Sequence, residues 1–107
     1  MDMLGNYEQR KVARYEEGEL VIDTCSVTDG NKPYETAVAH PQYDNREFII
    51  VDAYDTREES LAGHENWVSK MTTEPLPNEL VDCLNSDVAK LANMAGVEHI
   101  YKRSVNE

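Results

Sequence analysis

The sequence predicts an α+β fold: a four-stranded antiparallel meander packed against one long helix, with short C-terminal helices. Three observations predict it. Four runs between residues 10 and 54 are rich in β-branched and aromatic residues, with turn signals between them at short spacing. Near residue 55 the apolar period changes from two to about 3.6, and a helix-capping sequence stands at the change. The chain has 107 residues, 40% of them hydrophobic, which is enough for a single domain (1–107) around one core.

Residues 1–8 are polar and are expected to fray. Residues 10–15 (RKVARY) alternate and form the first strand. Residues 16–19 (EEGE) turn the chain, with Gly18 free to take positive φ. In residues 20–27 (LVIDTCSV), Leu20, Ile22, Thr24 and Ser26 share one face; Val21, Asp23, Cys25 and Val27 share the other. Residues 28–33 (TDGNKP) break the pattern. Residues 34–40 (YETAVAH) give a third strand, with Tyr34, Thr36, Val38 and His40 on one face, and residues 41–46 (PQYDNR) turn again. Residues 47–54 (EFIIVDAY) are the most apolar run. Strict alternation puts Ile49, Val51 and Ala53 on one face and Phe48 and Ile50 on the other, so a central strand with cover on both faces is expected.

The helix is expected at residues 57–71. Asp55 with Glu58, or Thr56 with Glu59, makes a capping box, and acids in the first turn suit the helix dipole. Leu61, Val68 and Met71 fall on one face, with His64 and Trp67 beside it; they are expected against Ile22, Val38, Ile49 and Val51. Gly63 weakens the helix and lets a strand approach closely. Full burial of Trp67 predicts a loss of about 3–5 kcal/mol for Trp67→Ala. Residues 72–77 (TTEPLP) end the helix. Residues 78–84 (NELVDCL) read as a short helix. Ser86 is placed to cap a second one at 87–95, with Val88, Leu91 and Ala95 inward and Gly96 at its C-terminal end. Residues 97–103 (VEHIYKR) alternate, as an edge strand or as an arm to a partner.

Twenty-one acids against ten Lys plus Arg give a net charge of -11. The excess is spread along the chain, with 12 acids and 5 bases in residues 1–55 and 9 and 5 in the rest. Such a surface disfavours direct binding to nucleic acid or anionic membrane and favours basic partners. No early run has the length and apolarity of a signal peptide or membrane span, so a cytoplasmic protein is expected. Cys25 and Cys83 are then expected as free thiols.

The sequence holds no Gly-rich phosphate loop, no G-x-S-x-G and no dinucleotide fingerprint. His40, His64 and His99 have no local ligand spacing, and neither cysteine lies in C-x-x-C. Cys25 with His40 or His64 is a conceivable nucleophilic pair, but a Cys in a strand of an acidic chain lacks an electropositive setting. Asp52, Asp55, Glu58 and Glu59 gather at the strand–helix turn, where capping accounts for Asp55, Glu58 or Glu59 without a cation. The six tyrosines and Trp67 are candidate interface anchors, and core packing is the simpler account of them. These readings assign no catalytic residue, no metal ligand and no cofactor, and the expectation is a protein that is not an enzyme.

The runs ETAVAHPQY (35–43) and FIIVDAYDTREESLAGHENWVSKMT (48–72) resemble a family of small proteins of tailed bacteriophages and prophages of Gram-positive bacteria. The shared features are Glu35 to Pro41, Tyr54 to Thr56, Glu58 and Glu59, Gly63-His64 and Trp67-Val68. The resemblance spans about residues 11–95 and implies a phage gene product in the host bacterial cytoplasm; it transfers no functional residue. With the charge, it leads to the expectation of a protein–protein interaction. One version is an anti-CRISPR-like inhibitor of a host nucleic-acid enzyme or defence system, whose carboxylates mimic phosphates in a basic groove. The candidate partner-binding residues are Glu16, Glu17, Glu19, Asp29, Asp44, Glu58, Glu59 and Glu65. The first alternative is a virion or assembly component that forms a homo-oligomer. The second is a small-molecule-binding protein or small enzyme using His40 and His64.

Overall fold

Period-two runs with short turns between them pair with their sequence neighbours. The computed structural model describes residues 9–28, 30–83, 85 and 99–104. It contains β1 (Lys11–Glu17), β2 (Leu20–Ser26), β3 (Tyr34–Ala39), β4 (Ile49–Tyr54), helix α1 (Arg57–Thr72), β5 (Glu79–Val81) and β6 (Ile100–Lys102). The first four strands form an antiparallel sheet in the order β1-β2-β3-β4, which is the expected meander, and α1 lies across it.

Past a register shift between Lys11 and Ala13, the register follows the alternation on β1 to β3. Tyr15 pairs with Ile22, Ile22 with Val38, and Thr24 with Thr36, so all five side chains share the face toward α1. Gly18 takes φ +59 in the two-residue turn between Glu17 and Leu20.

β4 departs from the expectation in two ways. It stands at the end of the strand order and is not central. A register shift opposite Thr36/Ala37 breaks the strict alternation along it. Tyr34 pairs with Tyr54 and Thr36 with Asp52, whereas Val38 pairs with Ile49. The residue inserted between these pairings is buried Val51, and Ala53 falls on the far face opposite Glu35. The outer edge of β4 does not stay bare: Cys83 N–H donates to Ile50 O at 2.8 Å.

Helix α1 starts with the expected capping box in its Thr56–Glu59 form. Thr56 Oγ1 accepts from Glu59 N at 3.1 Å, and Glu59 Oε1 accepts from Thr56 N at 3.3 Å. Its inward stripe is Ser60, Gly63, His64 and Met71, with Trp67 and Val68 half-buried beside it. Leu61, expected in the core, is 41% exposed. The helix is rotated so that Gly63 rests on the Tyr54 ring, and this turns Leu61 outward. Half burial of Trp67 lowers the expected cost of truncating it below the fully buried range.

Where a short helix was expected at 78–84, Glu79–Val81 form strand β5 instead, and residue 84 lies outside the described residues. Leu80, 1% exposed, pairs with Tyr101 in the β5–β6 ladder, which Asp82 N→His99 O and Arg103 N→Asn78 O extend at both ends. Its partner lies some twenty residues on, inside the alternating run 97–103. Of residues 97–103, the part in β6 is thus a strand paired within the chain. The expected frayed segment 1–8 and second helix 87–95 lie outside the described residues.

The core joins Ile22, Val38, Ile49, Tyr43, Met71 and Leu80. Tyr43, fully buried, donates its hydroxyl to Pro77 O at 2.5 Å and ties the β3–β4 loop to the segment before β5. Among the described residues, no helix is long and apolar enough to cross a membrane.

Candidate functional site

The expected carboxylates divide into two groups at opposite ends of the sheet. Glu16 and Glu17 end β1, Glu19 lies in the adjoining turn, and Asp44 lies in the β3–β4 loop at the same end. Glu58 and Glu59 open α1 at the other end, and Glu65 is exposed midway along the helix. Asp29 lies outside the described residues.

The first group rests on a defined frame. Asp44, Asn45 and Arg46 have φ of 48°, 53° and 70°, a left-handed turn of non-glycine residues that costs on the order of 1–2 kcal/mol per residue. Asn and Asp bear this conformation better than Arg. Arg46 Nε donates to Glu19 O at 2.7 Å and Glu47 N to Asp44 O at 2.9 Å, which holds the loop against the β1–β2 turn. Within the group, Glu16 accepts from Arg14 Nε at 2.5 Å, and Glu17 accepts from the Tyr15 hydroxyl at 3.0 Å.

The carboxylates around the strand–helix turn do not converge. Asp52 accepts from Ala53 N at 3.0 Å and faces Trp67 Nε1 at 3.4 Å, Asp55 lies 3.7 Å from Lys32, and Glu59 completes the cap. Among the described residues, no group of three or more His, Cys, Asp or Glu is arranged to hold a metal ion.

The histidines are also dispersed. His40 follows β3, bridges to Tyr43, and accepts from Gln42 N at 3.1 Å. His64 reaches β2 beside Thr36, and four residues along β3 separate Thr36 from His40, roughly 13 Å at 3.3 Å per residue. Burial lowers both imidazole pKa values; Glu19 opposes the shift at His40, and Glu65 and Asp23 oppose it at His64. The Nε2 atom of His99 is buried with no hydrogen-bond partner among the described residues. A surface depression of about 350 Å³ is lined by Ser69, Lys70, Thr73, Glu74, Pro75 and Pro77, none of them histidine. Burial first, then nearby carboxylates, push both thiols up: Cys25 beside Asp23 and Glu35, and Cys83 to about 11. Neither is an activated nucleophile.

Sequence reasoning missed one constellation. Beneath the N-terminal half of α1, Tyr54 Oη lies 3.0 Å from Thr36 Oγ1, Thr36 Oγ1 lies 2.6 Å from Thr24 Oγ1, and Thr24 Oγ1 lies 2.7 Å from His64 Nδ1. All four groups are buried. Burial raises the Tyr54 pKa, against the Thr36 hydrogen bond. The available signal was a pair of threonines at facing register positions, with Gly-His on the helix expected above them.

Comparison with protein-family models, with curated proteins and with solved structures finds no match to this chain.

Proposed function

We propose that the protein works by protein–protein interaction, presenting carboxylates to a basic surface that otherwise accepts nucleic-acid phosphates. The observation that carries this reading is the gathering of Glu16, Glu17, Glu19 and Asp44 at one end of the sheet, from separate stretches of a chain of net charge -11. Acids so placed attract a basic partner at long range and repel phosphate backbones. The resemblance to phage proteins fits this reading: a phage or prophage product, made in the host cytoplasm, that inhibits a host nucleic-acid enzyme or defence system. Glu58 and Glu59 then stand apart at the start of α1, with Glu65 midway along it.

The test is affinity capture from bacterial lysate at low and high salt, using the chain and its Glu17→Lys/Glu19→Lys/Asp44→Lys variant. A basic partner lost at high salt and lost by the variant is expected. Capture that ignores both changes sinks the reading.

A second reading, a homo-oligomeric virion or assembly component, draws on one observation. Val81 and Ile100 face each other across the β5–β6 ladder and are 48% and 41% exposed. Mass measurement in solution and proteomics of purified particles decide it, and a monomer absent from particles ends it.

A further inference from the structure

We propose that the chain Tyr54–Thr36–Thr24–His64 is a proton-operated latch between α1 and the sheet, which loosens when His64 takes up a proton. Three contacts join four groups, and three hydroxyl protons are available to make them. If neutral His64 carries its proton on Nε2, Nδ1 accepts. Each hydroxyl then donates one step toward the histidine: Tyr54 to Thr36, Thr36 to Thr24, Thr24 to His64. Every hydroxyl proton is used.

An imidazolium only donates. Its Nδ1–H must give to Thr24, so Thr24 turns to Thr36 and Thr36 turns to Tyr54. The Tyr54 proton thereby loses Thr36, the one acceptor the structure gives it among the described residues. One proton added at the helix thus reverses three bonds and disturbs the far strand. Thr24 and Thr36 are fully buried and His64 is 3% exposed, so the new charge is also poorly solvated. Helix α1 meets the disturbance directly, because a Cβ on Gly63 would lie only 2.2 Å from Tyr54 Oη.

The surroundings set the direction of the effect. The charged or titratable groups near His64 are Glu65 on α1, Asp23 on β2, and Tyr54 and Asp52 on β4. Tyr15 and Glu17 are those on the helix side of β1, while Tyr34, Thr36 and Val38 on β3 carry no charge. Glu65 and Asp23 favour the cation, and burial outweighs them. The unfolded chain therefore takes the proton first as pH falls. Stability is complete above about pH 6.5, the ordinary histidine value, and is lost as pH falls toward the lower folded value. Within that window the unfolding constant rises by up to about tenfold per pH unit.

The experiment is NMR of the full chain with labelled histidine and tyrosine. At pH 7.5, His64 Nδ1 is expected to be unprotonated. On acidification, the His64 and Tyr54 signals should move in one step. Thr36→Val should silence the Tyr54 response while His64 still titrates, and Thr36→Ser should restore it. A protonated Nδ1 at pH 7.5, or a Tyr54 signal indifferent to His64, overturns the proposal; both readouts need only the unsubstituted chain. As a second measurement, the denaturant midpoint should fall between pH 7 and 5.5 in the unsubstituted chain more than in His64→Gln. An equal fall in both also overturns it.

Discussion

The two halves of the helix–sheet interface are held by different physics. Toward the C-terminal end of α1, Met71 belongs to one apolar cluster with Ile22, Val38, Ile49, Tyr43 and Leu80, and the stabilisation scales with apolar area. Toward its N-terminal end, Gly63 rests on Tyr54 and His64 meets Thr24, which Thr36 links to Tyr54, and the stabilisation depends on direction, proton count and close approach. An area-driven contact tolerates a change of shape at fixed volume. A hydrogen-bonded chain is intolerant of losing one member, because the remaining groups stay buried. The difference teaches that a small domain can place a pH-sensitive contact inside its core if an apolar half beside it carries the fold.

The contrast can be broken from either half. Ile22→Ala, at a fully buried site of the apolar half, is expected to cost about 4 kcal/mol in denaturant unfolding, while Ile22→Val costs about 1. Gly63→Ala should cost about 3 kcal/mol although it raises helix propensity, because the new Cβ meets Tyr54 Oη and Cε1 at 2.2 and 2.3 Å. A Gly63→Ala protein as stable as the parent would show that α1 slides freely on the polar half. Thr36→Val keeps the volume and removes two hydrogen bonds, and about 2 kcal/mol should be lost. No loss would mean that shape alone matters there too. Thr56→Ala removes the cap at the polar end for about 1 kcal/mol, a loss that should be independent of pH between 7 and 5.5. Against that flat control, the His64-dependent loss on acidification should stand out in the same unfolding series.

Much of the fold was legible. The faces of β2 and β3 followed from alternation, and the two capping pairs at 55–59 marked the start of α1; of these, Thr56 with Glu59 formed. Gly63 was legible as a point of close approach, though not its partner Tyr54. The register shift opposite Thr36/Ala37 was not legible, and it reassigned Val51 and Ala53. Leu61 faces outward although it is apolar, because fit of Gly63 against Tyr54, not hydrophobicity, orients the helix. Of the candidate site, the identity of the acids was read correctly as to exposure for Glu16, Glu17, Glu19, Asp44, Glu58, Glu59 and Glu65. Their division between two ends was not, since it depends on which loops the meander brings side by side.

The sequence by itself determined what depends on near neighbours: strand alternation, turn positions, the helix cap and the acidic surface. These arise from interactions within a few residues, which a linear reading contains. Tertiary structure alone decided which helical face turned inward, that residues 79–81 became a strand, and that His64 met Thr24 forty residues away in the chain. Those outcomes compare the free energies of whole arrangements. A polar stripe wins the inward place on α1 because the sheet beneath it supplies partners in register, and no local property of residues 57–72 records that supply.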